Sequence, residues 1–183
     1  MSRVRSGTII FYYIIYNMVN NQQFKEQYAI GKQSEIDSHK DLEQIFGIEL
    51  THDPYELAHF DFFNKDKKIA IELKTRPNTT FNNGIFDHIS RNGNKCKLDT
   101  LYFDAPKLRW AGVLNKDKPV QEHWQFFIVW KCSGEYFYWK ICGKDNYFIE
   151  EQFRDCGMGI KVNRDVVNVP INLLTHFLEP LNN

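Results

Sequence analysis

The sequence has no excess of charge of either sign. Lys and Arg together number 23, as do Asp and Glu, so the formal net charge of the 183 residues is zero at pH 7. Proteins that attract polyanions through their overall field carry a strong excess of basic residues. The balance therefore excludes a histone-like or tail-driven nucleic-acid binder and leaves room only for a local basic cleft.

Cysteine pairs of the kind that bind zinc are also missing. The four cysteines show no CxxC spacing and no cluster of histidines accompanies them, whereas structural zinc sites are built from such groups. A chain of this length does not need disulfides to be stable. We therefore interpret Cys96, Cys132, Cys142 and Cys156 as free thiols, which favours a reducing, intracellular compartment, either cytoplasm or nucleus.

An apolar run long enough to cross a membrane is not present either. The run Thr8–Tyr16 has nine residues, and a transmembrane helix needs about 20. Arginines precede it, as in a signal peptide, but no A-x-A-like cleavage site follows. We expect no stable membrane insertion. The function of the apolar extension, residues 1–19, is left open, and Met18 is an alternative first residue of the protein. Residues 20–183 then form a single domain.

The domain shows a readable order of helices and strands. The pattern of residues 23–46 predicts one long helix that ends at Gly47. Two runs, 59–63 and 69–75, predict paired strands. Further along, the patterns predict a loop or short helix at 78–94, a strand at 98–103, a helix with Asp104 as its N-cap, a hairpin of 124–132 and 136–141, and a strand leading into a helix or terminal cap at 166–181. This order predicts an α/β domain around a mixed sheet.

Two acidic residues stand out in the first pair of strands. Alternation along IAIELKT places Glu72 and Lys74 on one face of an otherwise apolar strand, which is typical of a central strand. If the turn centres on Asp66 and Lys67, Asp61 lies directly opposite Glu72. Like charges destabilise such a pair, whose Cβ atoms are about 4.5–5.5 Å apart. Because Mg²⁺ is commonly held by one or two carboxylates, the pair predicts a divalent-cation site.

The long helix contributes a third acid. One stripe of the helix carries Phe24, Tyr28, Gly31, Glu35, Leu42 and Ile45. Glu35 is therefore predicted to face the core, whereas Glu43 on the flank is interpreted as a surface charge. Gly31 costs about 0.8–1 kcal/mol of helix propensity relative to alanine, and the expected compensation is a close approach of the helix to the sheet.

Together these residues resemble a known nuclease superfamily. Glu35 in the first helix, Asp61 in a strand and Glu72-Leu73-Lys74 in the next strand follow the order of the PD-(D/E)XK, or restriction-endonuclease-like, superfamily. The resemblance covers roughly residues 24–141. It implies a restriction-endonuclease-like core, in which helices flank a central mixed β-sheet, and cleavage of phosphodiester bonds that depends on Mg²⁺ or Mn²⁺.

The same resemblance implies a role for each residue of the motif. Asp61 and Glu72 would be metal ligands. Lys74 would orient or activate the attacking water, and Glu35 would complete the site directly or through water.

One position departs from the family motif. The residue before Asp61 is Phe60 and not proline, and Pro54 lies too far upstream to replace it. Asp53 and His59 therefore stay open as alternatives to Asp61, although a histidine beside aromatic residues is more often packed in a core.

Two basic residues are predicted to bind phosphate. Arg76 follows Lys74 on the same strand face. Lys107 lies in the first turn of a helix, where the helix dipole disfavours a cation unless an anion is near. The remaining basic residues of this region are candidates for contacts along a nucleic-acid backbone: Lys65, Lys67, Lys68, Arg91, Lys95 and Lys97.

The resemblance implies nucleic acid as the partner, and family prevalence favours DNA. A DNA endonuclease is therefore the leading hypothesis, and a homodimer would supply the two active sites that duplex cutting needs. An RNA-cleaving nuclease, an inactive nucleic-acid-binding or structural module of the same fold, and a membrane-associated or interaction protein anchored by Thr8–Tyr16 are the alternatives. Fold kinship alone does not choose among them.

Overall fold

The computed structural model describes residues 22–53, 60–90, 92–111, 124–141, 148–155 and 161–177. Several positions discussed above lie outside these ranges: residues 1–19, Pro54, His59, Arg91, Cys142, Cys156 and the side chain of Phe24. Cys96 and Cys132 are free thiols, the first exposed and the second buried. No helix in the described ranges is both long and apolar enough to cross a membrane.

The long N-terminal helix is confirmed. Helix α1 spans Gln22–Phe46 and ends where Gly47 adopts a φ of +64°, a conformation that glycine reaches without steric cost. Leu42 on its inner stripe is fully buried. The predicted face of the helix therefore does pack on the core.

The described ranges contain twelve strands. In chain order they are β1 (Thr51–His52), β2 (Phe62–Asn64), β3 (Ile69–Arg76), β4 (Thr79–Asn82), β5 (Ile85–Ile89), β6 (Lys95–Leu98), β7 (Thr100–Asp104), β8 (Gln125–Cys132), β9 (Glu135–Lys140), β10 (Phe148–Asp155), β11 (Lys161–Pro170) and β12 (Thr175–Phe177). A second helix, α2, spans Pro106–Trp110, and a 3₁₀ helix spans Ile171–Leu173.

The central sheet is mixed and has six strands in the order β1-β2-β3-β8-β9-β12. β3 and β8 are parallel, and the other neighbours are antiparallel. Both predicted hairpins, β2–β3 and β8–β9, are confirmed. The second turns at Ser133 and Gly134, whose φ angles are +47° and +95°, as a two-residue turn requires.

The segment 78–94 corrects a prediction. It was expected to be a loop or a short helix, but β4 and β5 occupy most of it and pair with β6 in a small antiparallel sheet. Asn83 and Gly84 form the turn, with φ angles of +50° and +79°. An Asn-Gly pair between short strands is a strong hairpin signal, and the polar composition of the segment concealed it.

The ends of two other elements also differ from the predictions. Asp104 was expected to cap α2, but it is the last residue of β7, and α2 begins at Pro106. Proline suits the first helical position because its missing N–H is not needed there. After β11, where the sequence predicted a helix or a terminal cap, the chain forms the 3₁₀ helix and then edge strand β12.

Two apolar clusters cover the faces of the central sheet. On the α1 side, Leu42 packs with Phe62, Ile71 and Leu73. On the opposite side, Ala70 packs with residues of β5, β7, α2 and β11. The structure is thus a mixed α/β fold in which β3 is covered on both faces, as its apolar sequence predicted, and in which α1 flanks one face and short α2 contributes to the other.

Candidate active site

The predicted register of the first hairpin is confirmed. β2 and β3 pair through Phe62 with Ile71 and Phe63 with Ala70, which is the register that a turn centred on Asp66 and Lys67 predicts. Asp61 directly precedes β2, and its backbone N–H donates to the Ile71 carbonyl at 3.0 Å. This bond is one residue out of the register of β2 and β3, so the regular pairing is broken here and the predicted direct opposition of Asp61 and Glu72 does not form. Both side chains nevertheless line one cavity.

In the described residues, the regular pairing of β2 with β3 ends at Phe62 and Ile71. The side chain of Asp61 replaces a strand partner, because Oδ2 accepts the N–H of Leu73 at 2.7 Å. β3 continues to Arg76 and stays paired with β8 along its whole length. Helix α1 lies beside this end of β3, where the hydroxyl groups of Ser34 and Thr75 are 2.5 Å apart.

A cleft of about 430 Å³ lies between α1 and this end of β3. The α1 wall carries Tyr28, Ile30, Gly31, Lys32 and Glu35, and the opposite wall carries Asp61, Glu72, Leu73, Lys74, Thr75 and Pro77. All four predicted catalytic residues, one from α1, one directly before β2 and two from β3, thus share a single cavity. Hereafter this cavity is called the cleft.

Glu72 lies at the base of the cleft between two lysines. Only 3% of its surface is exposed, and its Oε1 is 2.6 Å from Lys74 Nζ. Its Oε2 is 2.6 Å from Lys107 Nζ. Each carboxylate oxygen of this buried residue is thus paired with a lysine ammonium.

Asp61 is held in an unfavourable environment for a charge. Burial, followed by the carboxylates of Glu72 and Glu35, raises the pKa of Asp61 to about 7, although the Leu73 N–H and Lys74 act in the opposite direction. A carboxylate with that pKa is about half ionised at neutral pH. The three acids of the cleft therefore repel one another, and a bound cation would relieve the repulsion.

Lys74 keeps its charge despite its burial. Burial acts to lower the pKa of Lys74, but the Glu72 carboxylate, assisted by Asp104 and Asp61, outweighs it, so the pKa lies above its ordinary value. The ammonium group is consequently charged at neutral pH and stays beside the carboxylate pair.

Glu35 faces the cleft from α1 and is held by two partners. Its Oε2 accepts a hydrogen bond from Lys32 Nζ at 2.7 Å and another from His52 Nε2 at 2.8 Å. Its side chain is 13% exposed. The predicted inward orientation of Glu35 is confirmed, and the contact between α1 and β1 adds a residue, His52, that the sequence did not single out.

Two interpretations of α1 residues are wrong. A Cβ atom added to Gly31 would meet nothing within 4 Å, so no close approach of the helix to the sheet explains this glycine. It leaves space in the cleft wall instead. Glu43 is not a simple surface charge, because it is only 33% exposed and its Oε1 accepts the Leu50 N–H at 2.9 Å.

The two predicted phosphate-binding residues have different surroundings. Lys107 joins the site through Glu72, so the anion that offsets its unfavourable position in α2 is a carboxylate of the protein. Arg76 turns toward β7, where it donates to the Tyr102 carbonyl at 3.2 Å and lies 4.2 Å above the Tyr102 ring. Asp53, an alternative to Asp61, donates its backbone N–H to the Asp61 carbonyl at 2.8 Å.

The residues of the cleft fit a hard divalent cation. Glu72 offers buried and Asp61 half-buried carboxylate oxygens, and the raised pKa of Asp61 indicates that its negative charge is not fully offset by its surroundings. No group of three or more His, Cys, Asp or Glu side chains arranged to hold a metal occurs in the described ranges. Two carboxylates are the number with which Mg²⁺ is commonly bound, together with water and phosphate oxygens.

Comparison with known proteins provides no relative. No family model, curated protein or solved structure matches the chain. The cleft itself is consequently the source of the functional inference.

Proposed function

We propose that this protein is a divalent-metal-dependent nuclease that hydrolyses phosphodiester bonds, a DNA endonuclease with a restriction-endonuclease-like core. One observation carries the proposal: Asp61 and Glu72 lie beside Lys74 in a cleft that α1 completes with Glu35. Paired carboxylates next to a charged lysine are suited to phosphoryl chemistry because they combine metal binding with stabilisation of anionic oxygens.

Asp61 and Glu72 are the residues that would hold Mg²⁺ or Mn²⁺. When bound, such an ion polarises a phosphoryl oxygen and lowers the pKa of water. The charge balance of the cleft supports binding of the metal before binding of the substrate. Three acids, Glu35, Asp61 and Glu72, face three lysines, Lys32, Lys74 and Lys107, so a divalent cation would give the cleft the net positive charge that attracts a phosphodiester.

The remaining side chains act on water and on the phosphoryl group. Lys74 donates hydrogen bonds to the attacking water and to the phosphoryl oxygens, on which negative charge grows in the transition state. Lys107, from α2, adds a second positive charge near the same carboxylate. Glu35 accepts a hydrogen bond from the attacking water, directly or through a second water, and so aligns it for in-line attack.

A homodimer belongs to the same proposal. One such cleft cuts one strand, so cutting of both strands of a duplex requires two clefts in one assembly. A monomer should nick supercoiled DNA, whereas a dimer should linearise it. Sedimentation of the sample gives its oligomeric state, and gel analysis of the same sample gives the DNA product.

The test is Mn²⁺-dependent cleavage of supercoiled, linear and single-stranded DNA and of RNA. We expect the wild type to cleave and Glu72→Gln to lose about 1,000-fold in rate, equivalent to several kcal/mol of transition-state stabilisation. Glu43→Gln, which changes a half-buried glutamate outside the cleft, is the matched control and should cleave like the wild type.

The outcomes are distinct. Cleavage of RNA but not DNA would replace the substrate class and keep the site. If the wild type cleaves none of these substrates and calorimetry shows no heat of Mn²⁺ binding, the nuclease proposal is wrong, and an inactive binding or structural module becomes the leading hypothesis.

A further inference from the structure

His52 makes a long-range contact with the acid of α1. It belongs to β1, a two-residue edge strand, and its Nε2 lies 2.8 Å from Glu35 Oε2. Because an ionised carboxylate can only accept hydrogen bonds, Nε2 is the nitrogen that carries the proton and donates. The contact joins the edge of the central sheet to the helix wall of the cleft.

Both partners of Glu35 bind the same oxygen. Lys32 Nζ donates to Oε2 from one turn earlier on the same helix, at 2.7 Å. Neither this contact nor that of His52 uses Oε1. Two donors thus restrain one carboxylate oxygen of Glu35, and Oε1 remains able to accept a hydrogen bond from a group in the cleft that Glu35 lines.

Lys32 alone is not sufficient to fix this direction. A lysine and a glutamate three residues apart on one helix can pair in several rotamers, because both side chains are long and move with the same element. His52 approaches from a different element and has a rigid ring. That ring is itself fixed, since its centroid is 5.1 Å from the ring of buried Phe62.

We propose that His52 is a positioning residue for the proposed nuclease reaction: it holds the Glu35 carboxylate toward the cleft, where Glu35 aligns the attacking water. This inference rests on the proposed function. It assigns to β1 a role in the reaction that neither the sequence motif nor the resemblance contains.

A neighbouring histidine provides a matched control. His39 also packs on Phe62, with ring centroids 5.3 Å apart, and is similarly half-buried. Its Nε2 donates to the Leu50 carbonyl at 2.8 Å. The two histidines therefore flank the same phenylalanine, but only His52 reaches Glu35.

The experiment compares His52→Ala, His52→Gln and His39→Ala in steady-state Mn²⁺-dependent cleavage. Loss of an outer partner of an active-site group typically lowers activity by about 10- to 100-fold. We expect that loss in kcat for His52→Ala with KM nearly unchanged, because Glu35 acts in the transition state and not in substrate binding. His52→Gln should recover much of it, since the glutamine amide nitrogen can occupy the position of Nε2. Melting temperatures of the variants show that they are folded.

Three results are decisive. A selective kcat loss in His52→Ala, with recovery in His52→Gln and a small effect in His39→Ala, supports the inference. Equal effects of His52→Ala and His39→Ala, in an enzyme that Glu72→Gln inactivates, overturn the inference and leave the nuclease proposal intact. If the wild type cleaves nothing, the proposed function fails, and the role of His52 fails with it.

Discussion

Two groups of buried polar residues lie between α1 and the central sheet, and they differ in how their charges are satisfied. One is the cleft. The other, here called the Ser38 network, consists of Ser38, Asp41, Lys131 and Tyr136. Lys131 Nζ donates to Ser38 Oγ at 3.0 Å and lies 5.3 Å above the Tyr136 ring, and the Tyr136 hydroxyl donates to Asp41 Oδ2 at 2.6 Å.

The charges of the Ser38 network are balanced, one acid to one base, and its members hold one another. The cleft gathers three carboxylates and three lysines, but these do not satisfy Asp61, because burial and the neighbouring carboxylates raise its pKa to about 7. A satisfied polar network stabilises a fold, whereas uncompensated buried charge destabilises it and is retained where function needs it. This difference indicates that the cleft, and not the Ser38 network, is the site at which activity should be tested.

Replacing Asp61 should have the largest effect, because it should change both the cleavage activity and the stability of the fold. Asp61→Asn removes a metal ligand, so we expect Mn²⁺-dependent cleavage to fall by about 100-fold or more. The same change removes the repulsion among the acids and keeps an acceptor for the Leu73 N–H, so it should stabilise the fold by about 2–4 kcal/mol at pH 8. Denaturant unfolding measures this gain, and Asp87→Asn, which alters an exposed acid paired with Lys97, should show neither effect.

The sign of the pH dependence follows from the direction of the shift. The folded protein holds a proton on Asp61 up to about pH 7, while the unfolded chain loses it near 3.8. Folded molecules thus bind more protons than unfolded ones between these values, and stability falls as pH rises through that window. The advantage of Asp61→Asn should therefore grow from pH 4 to pH 7 and stay constant above it. A gain that is independent of pH would contradict the electrostatic cause.

A substitution in the Ser38 network should have the opposite consequences. Tyr136→Phe leaves the ring in place and removes the hydrogen bond to Asp41, which should cost about 1.5–3 kcal/mol, as for a bond to a charged group. Cleavage by the folded variant should stay within about twofold of the wild type. A large loss of activity without a loss of stability would show that the network takes part in the reaction and would remove the distinction from the cleft.

The smallest expected effect comes from the helix wall. Gly31→Ala meets no obstacle within 4 Å and should add about 0.8–1 kcal/mol of stability through helix propensity. Its methyl group would project into the cleft and lower kcat/KM. Ala29→Gly, at an exposed position of the same helix, should lose a similar amount of stability and keep full activity. If Gly31→Ala is as active as the wild type, this part of the wall does not contact substrate.

Local rules account for much of what could be predicted. The β2–β3 register depends on a short turn and on side-chain alternation, both of which act over a few residues, and it proved correct for the pairing of Phe62 with Ile71. The failure at residues 78–94 was also local, because the Asn83-Gly84 turn signal was present. It was outweighed by the polar residues around it, which the small sheet leaves exposed.

Other parts of the site depend on elements that are distant in the chain. The contact between Lys107 and Glu72 requires β7 to deliver α2 to the far face of β3, and nothing near either residue in the sequence encodes that distance. Strand β1 is too short to show a pattern, so the approach of His52 to Glu35 could not be read from Thr51 and His52 alone.

The sequence by itself determined the long helix, the two hairpins and the pairing of Phe62 with Ile71, since period, turn chemistry and alternation are properties of neighbouring residues. Tertiary structure decided where β2 leaves β3, which lysines surround Glu72, and which histidine holds Glu35. Those features arise because packing brings together residues from different elements, and the buried charges then set one another's pKa values at distances that only the folded chain defines.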